Sequence, residues 1–448
     1  MNKIEKLGEK IVNILTDNGF KAYFAGGCVR DKILGIPFKD IDIATSAQPN
    51  DVIHLFKKTI PVGVQFGVVI VMLDGTPFEV ATFRKDINYK DGRHPESIQF
   101  TNETEDVKRR DFTINGILYD PLNDKIIDHV GGLNDINNKI IRCIGNPLER
   151  FKEDKLRMMR AIRFAARFSY KIDDQTWNGI KTLCTKIPEV SYERIRDELI
   201  KILTEGHANI GIKLLDESGI LKEILPEISI LKGVMQPLEY HPEGDVYNHV
   251  LLVLENLTNP SKELALAALL HDVGKPVTFS QSDRIRFNDH DNEGTKITKT
   301  ICQRLKLSNK ETIHITELVK QHMRFMNVQK MRESKLKRFL RQEHFNEHLE
   351  LHRLDCLASH GKLDHYFFCI NKLKEYASQN TNQLNPPKLI DGKKLIEIGY
   401  KPGPHFKEII NDVENAQLEG IINIESDAID YVKSHYLINN NSSEPIKN

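Results

Sequence analysis

The chain has 448 residues, 40% of them hydrophobic, a length that suggests about three domains and enough apolar material to give each a core. Lysine plus arginine and aspartate plus glutamate both total 63, so no global basic field marks a polyanion partner, and any nucleic-acid site must be a local stripe. Six dispersed cysteines without a C-x-x-C pair argue against a disulfide framework or a cysteine-held zinc knuckle and fit a reducing cytoplasm, and the longest apolar run, residues 67–73, is too short to span a membrane.

The first residues read as an amphipathic helix over 3–18 rather than a signal peptide. A strand follows at 21–25, a helix at 28–35, and strands at 40–44, 66–73 and 77–84, the last two forming a hairpin that turns at Asp74-Gly75. Beyond about residue 146 strand signals almost vanish and helical periodicity dominates. This predicts an α+β chain with a small head at 1–145, helical segments at 146–225 and 226–378, and a helical tail at 379–448 whose end, INNNSSEPIKN, reads as disordered.

In the head, FAGGCVRDKILG (24–35) carries a strand into Gly26-Gly27 and on into a helix bearing Arg30. Two glycines there let a backbone approach a phosphate, which Arg30 could grip, or simply make a tight turn. KDIDIATS (39–46) puts Asp40 and Asp42 on one face of a strand, where the like charges need either solvent or a cation between them. Phosphate cradle and metal carboxylates at this interval are the two halves of a nucleotidyl-transfer site. Glu79 is a third carboxylate, a candidate general base or a solvated strand residue. In VKRRDFTINGILYD (107–120), Arg109 and Arg110 can neutralise a triphosphate and Asp111 or Asn115 can meet ribose hydroxyls; the bland alternative is a capped helix start.

GGCVRD, DID and RRDFTING, in this order, resemble the motifs of the class II tRNA nucleotidyltransferase and poly(A) polymerase family. The resemblance implies a polymerase β-type nucleotidyltransferase head, a mixed sheet with helices, followed by an elongated all-α body. It also implies Mg2+ held by Asp40 and Asp42. DHVGGLNDI (128–136) is similar to the family's hinge motif.

ERFKEDKLRMMRAIRFAARF (149–168) reads as one helix, with Asp154, Arg157 and Arg160 three apart along a face. That face is either a salt-bridged surface or a reader of base edges. An aspartate accepts from an exocyclic amino group while an arginine donates to the neighbouring ring acceptor, a pattern shared by cytosine and adenine and reversed in guanine and uracil. Glu153, Asp154 and Arg157 match the family's E-D-x-x-R motif, and the resemblance places Arg160 and Arg163 near the nucleotide as well. Lys155 stands where many members carry proline, a departure expected to be harmless inside a helix. SYERIRDELIKIL (191–203) resembles the supporting neck helix.

Further on, His249 in YNHVLLVLENL, His271-Asp272 in HDVGKP and Asp355 in RLDCLASHG form an H, HD, D pattern whose polar groups a shared metal would satisfy. The pattern resembles the HD phosphohydrolase superfamily, and implies a divalent ion of unspecified identity. His290 and His322 are candidates for a second metal, a leaving phosphate, or ordinary packing. Residues 389–420 resemble the tail of HD-bearing tRNA enzymes. The resemblance therefore implies CCA addition to a tRNA 3′ end from CTP and ATP, in the cytoplasm and without a membrane, with an HD-dependent phosphohydrolase activity as a possible accessory. The alternatives are an A-adding partial enzyme, a poly(A) polymerase, or a metal phosphohydrolase with an RNA-binding head. The segment FRKDINYKDGRHPESIQF (83–100) between head strands and RRD argues against an enzyme that adds only CC.

Overall fold

The computed structural model describes residues 3–89, 95–378, 384–437 and 446–447, so the expected disordered end, apart from Ile446 and Lys447, lies outside the described residues. The chain divides into two compact units. The first comprises Met1–Val234, Asp245–Leu269 and Lys299–Thr312, and the second Met235–Gly244, Leu270–Thr298 and Ile313–Asn448.

The first unit begins with α1 (Lys3–Asp17), β1 (Ala22–Ala25), α2 (Gly27–Ile33), β2 (Asp42–Thr45), α3 (Pro49–Leu55) and β3 (Thr59–Gly63). It continues with β4 (Val68–Leu73), β5 (Thr76–Thr82), β6 (Arg84–Tyr89), β7 (Pro95–Phe100), α4 (Glu103–Lys108), β8 (Ile117–Asp120), β9 (Lys125–Asp128) and α5 (Gly132–Asn137). On α1, Leu7, Ile11, Val12 and Leu15 recur at helical spacing and are buried, which gives the helix one face to commit to the core. Seven strands make one mixed sheet in the order β3-β4-β5-β2-β1-β8-β9. Only the β2–β5 pair within it is parallel. The β4–β5 hairpin turns where expected: Asp74 and Gly75 both have positive φ, 49° and 78°, the pair of values a two-residue turn with the twist of the strands demands.

The sequence reading missed β3, β8 and β9, and did not foresee strands in the segment 83–100, where β6 and β7 pair as an antiparallel ribbon. RKDINY and PESIQF are too polar to announce a strand, and they pair with each other outside the large sheet. Small ribbons also occur after residue 146, including 279–281 with 285–287.

The neck follows as α6 (Pro147–Glu153), α7 (Leu156–Phe168), α8 (Asp174–Leu183) and α9 (Tyr192–Thr204). The single helix expected over 149–168 is broken. Asp154 is extended at φ −145° and ψ 104°, closing α6 and preceding α7, so it does not share a continuous helical face with Arg157 and Arg160. Lys155 sits at the start of α7 rather than inside a helix, and its φ of −64° is one that proline would also adopt. The buried side of α7, with Met158, Met159, Ile162 and Phe164, packs the neck, and Phe164 meets the head residue Phe112 edge to face at 5.8 Å.

The second unit is mostly helical, with a core around Phe325, Phe339, Phe345 and Leu349 and a further one in the tail around Leu395, Tyr400, Ile409 and Val432.

Candidate functional site

The β2–β5 register sets Asp42 beside Glu79, and the β1–β2 register sets Ala25 on its other side. Both carboxylates open to solvent in a recess of about 190 Å³ whose rim includes Arg84, Arg109 and Arg110. Ile41 and Ile43 are buried while Asp40 and Asp42 are exposed, the alternation an extended segment imposes. Loss of solvation, then the charges of Glu79 and Asp40, push the Asp42 carboxyl up to about 6 against the opposing pull of Arg110. The all-oxygen donors of Asp40 and Asp42 are of the kind that hard divalent cations take.

Gly26 lies close to two of the residues that line the recess. Its φ of 75° with ψ −136° is glycine-only backbone, and a Cβ there would stand 3.3 Å from Arg110 Nη1 and 3.6 Å from Asp42 Oδ2. Gly27 begins α2.

Arg109 and Arg110 are held in place by Asp106, a residue that sequence reasoning passed over. It is 1% exposed and accepts from Arg109 Nε at 2.9 Å, Arg109 Nη2 at 2.7 Å and Arg110 Nη2 at 3.1 Å. From the neck, Arg150 Nη2 donates to the carbonyls of Arg109 and Arg110. The rim arginines are thus gripped through both side chain and backbone.

Arg30, Asp111 and Asn115 do not line the recess. They are 4%, 9% and 7% exposed and are spent on one another and on the neck. Arg30 Nη1 donates to Asn115 Oδ1 at 2.5 Å, Asn115 Nδ2 to Asp111 Oδ1 at 3.0 Å, and Arg160 Nε to Asp111 Oδ2 at 2.8 Å. The Arg30 guanidinium also lies over Phe168, 4.8 Å from the ring centre. Burial would raise the Asp111 carboxyl, but the Arg160 charge and the hydrogen bonds from Asn115, Arg160 and the Phe112 N–H outweigh it and hold it well below the usual range.

In the neck, Asp154 Oδ1 accepts from the Leu156 N–H at 3.1 Å, capping α7, while Oδ2 accepts from Arg194 on α9 at 2.8 Å. Arg157 Nη1 donates to Glu153 at 2.7 Å and to the Arg150 carbonyl at 3.1 Å. Arg163, 7% exposed, is turned the other way, onto Glu198 at 2.6 Å and Glu205 at 3.0 Å. No local pattern pointed to Arg194 or Glu198, whose partners lie 40 and 35 residues away.

In the second unit, a cavity of about 890 Å³ is lined by Asp272, Lys275, His290, His322, His352 and Asp355, among others. His290 Nε2 and His322 Nε2 are 3.2 Å apart, and Asp272 Oδ1 is 3.7 and 3.9 Å from them. These three residues offer donor atoms within 4.8 Å of one another, a set that suits a divalent ion. Burial, then the neighbouring His290 and His271, push the His322 imidazole down to about 4, so it stays neutral and able to ligate. Lys275 donates to Asp272 Oδ2 at 2.6 Å. His271 is 3.3 Å from the same oxygen. His249 is fully buried on the helix Val246–Glu255, which belongs to the first unit.

Comparison with known proteins agrees with this layout. Residues 22–142 match the Poly A polymerase head domain, 169–231 the family described as a probable RNA and SrmB-binding site of polymerase A, and 246–354 the HD domain. The CCA-adding enzyme of Ligilactobacillus salivarius is 44% identical over 204 residues, 45% of this chain and 50% of its own. That of Lactobacillus helveticus is 37% identical over 267 residues, 57% of this chain and 66% of its own. The match spans about half the length of the first of these relatives. The CCA-adding enzyme of Bacillus stearothermophilus, solved in complex with CTP, superposes with a TM-score of 0.74 at 27% identity, covering 97% of this chain and 98% of that one. The Thermotoga maritima enzyme, solved with tRNA, shares the fold at TM-score 0.60 and 20% identity over 97% and 96% of the two chains. In order along the chain, then, lie segments similar to a Poly A polymerase head domain, to the RNA-binding segment of polymerase A and to an HD domain, and the curated relatives at 37–44% identity are CCA-adding enzymes.

Proposed function

We propose that the protein is a CCA-adding tRNA nucleotidyltransferase, transferring CMP and AMP from CTP and ATP to a tRNA 3′ end in the cytoplasm and releasing pyrophosphate. The observation that carries this reading is the in-register placement of Asp42 beside Glu79 in a recess rimmed by Arg84, Arg109 and Arg110. Asp40 and Asp42 would hold magnesium, which supplies Lewis acidity for attack of the 3′-hydroxyl on the α-phosphate. Gly26 and Gly27 leave room for the phosphates, and Arg109 and Arg110 balance their charge. Glu79 stands next to Asp42, where it can accept the hydroxyl proton.

Asp154 and Arg157 would read the base. The Asp154 carboxylate has lone pairs left after capping α7 and meeting Arg194, so it can still accept from an exocyclic amino group. For Asp111 and Asn115 to reach a ribose, the nucleotide must displace Arg160 and Arg30, so in our reading these four chiefly frame the site, as Arg163 does from behind. The HD residues His271, Asp272 and Asp355, with His249 joined to them by the sequence pattern, would hold a divalent ion, and His290 and His322 extend the donor set for phosphohydrolase chemistry. Among the described residues no helix is long and apolar enough to cross a membrane.

The decisive experiment supplies tRNA ending before CCA, after C and after CC with CTP and ATP. Completion of each to CCA, with arrest there, supports the reading. Addition of A alone would leave a partial enzyme, and unlimited A addition a poly(A) polymerase.

A further inference from the structure

Away from the recess and the HD cavity, three residues of the second unit, His314, His344 and Glu347, bring a separate set of donors together. His314 stands on the helix Asn309–Gln321, while His344 caps and Glu347 belongs to the first turn of the helix Phe345–Ala358. The imidazoles of His314 and His344 lie face to face, 3.6 Å between centres and 18° from parallel. His314 Nε2 is 2.7 Å from Glu347 Oε2, yet it makes no well-formed hydrogen bond. One donor atom from each of the three residues lies within 4.8 Å of the other two. None of the three lines the HD cavity.

Two neutral ring nitrogens with one carboxylate are the ligand set that a borderline divalent metal takes. A tetrahedral ion with ligand distances of about 2.1 Å holds its donors roughly 3.4 Å apart. The 2.7 Å pair would therefore open slightly and any pair near 4.8 Å would close. Two neighbours support the set. The Glu343 carboxylate is 3.2 Å from His344 Nε2 and can orient that ring, as a carboxylate does behind a ligating histidine. His348, 3% exposed, has a buried Nδ1 with no hydrogen-bond partner among the described residues.

We propose that His314, His344 and Glu347 form a binding site for a divalent transition metal of the zinc type, distinct from the head and HD sites, with one coordination position left for water. The ion clamps the helix Asn309–Gln321 to the start of the helix Phe345–Ala358, whose far end carries His352 and Asp355 of the HD cavity.

Equilibrium dialysis of the full-length protein against Co2+, with bound metal counted, tests this. The parent binds one equivalent more than His314→Gln and one more than His344→Asn, and the same difference persists when both are compared in a His271→Ala background. His344 has a positive φ of 57° at a helix start, and asparagine is favoured at both, so His344→Asn keeps the fold and its count decides if His314→Gln melts early. Thermal melting with and without Zn2+ gives a second readout: the metal-induced rise in midpoint shrinks in His344→Asn. Equal Co2+ counts in the parent and His344→Asn overturn the proposal.

Discussion

Arg160 of the neck places both Nε and Nη2 on one oxygen of the head residue Asp111, at 2.8 and 2.5 Å. Asp111 is almost enclosed, so removing either partner strands a charge in a poorly solvated place. Asp111→Ala is expected to lower stability by about 3 kcal/mol, toward the lower end for a broken buried pair because Arg160 keeps some access to water. Urea unfolding of the full chain measures it, and a loss under about 1 kcal/mol would show that the pair is screened like a surface one.

The same carboxylate sets a pH dependence. Its folded pKa is depressed below the unfolded value of about 3.9, so the stability it contributes is fully present above that value and drains away as pH falls through the folded one. Between about pH 4 and more acid conditions the parent should lose stability more steeply than Asp111→Asn, which carries no titrating group there. Denaturation midpoints taken across that window compare the two.

Asp42→Ala should abolish nucleotide incorporation, by about a thousandfold or more, since a metal Lewis acid supplies several kcal/mol at the transition state. Phosphohydrolase activity, if present, is retained. His271→Ala should give the opposite result. Incorporation that survives Asp42→Ala would remove the basis for the proposed function.

Asp154→Asn keeps an oxygen to cap α7 but replaces a pure acceptor with a group that also donates. Selection of CTP and ATP over UTP and GTP should fall by roughly a hundredfold or more, because hydrogen-bond readout is the strong form of discrimination. The ratio of kcat/KM values for the four nucleotides is the measure. Unchanged ratios would take base reading away from Asp154.

Gly26→Ala combines a backbone strained by about 1–3 kcal/mol with a methyl pressed toward Arg110 and Asp42. It should depress kcat far more than it lowers the melting temperature. Gly35→Ala, also at positive φ but with open space around it, is the control for strain alone.

Much of the head was legible because its signals are local. The alternation of Asp40, Ile41, Asp42 and Ile43 fixes which side chains face out, and Asp74-Gly75 fixes a turn. The break between α6 and α7 was not legible, since Lys155 is an ordinary helix former and the capping acceptor, Asp154, also reads as a mid-helix acid. Arg30 was read as a phosphate ligand from its place beside the glycines. It is instead buried against Phe168 and Asn115, partners brought in by folding from 138 and 85 residues away. Asp106 escaped notice because one acid in an acidic first turn looks solvated, yet it is the anchor of both rim arginines.

The Asp128 carboxylate accepts from four consecutive backbone N–H groups, those of Val130, Gly131 and Gly132 on one oxygen and Leu133 on the other, at 2.9 to 3.0 Å. Gly132 is pressed so close to the Thr113 carbonyl that a Cβ would lie 2.2 Å from that oxygen. The DHVGG stretch, whose family label suggests a pivot, is therefore built as a rivet. Any swing between head and neck has to bend the chain outside residues 128–133, and a side chain added at Gly132 should cost stability rather than free the pivot.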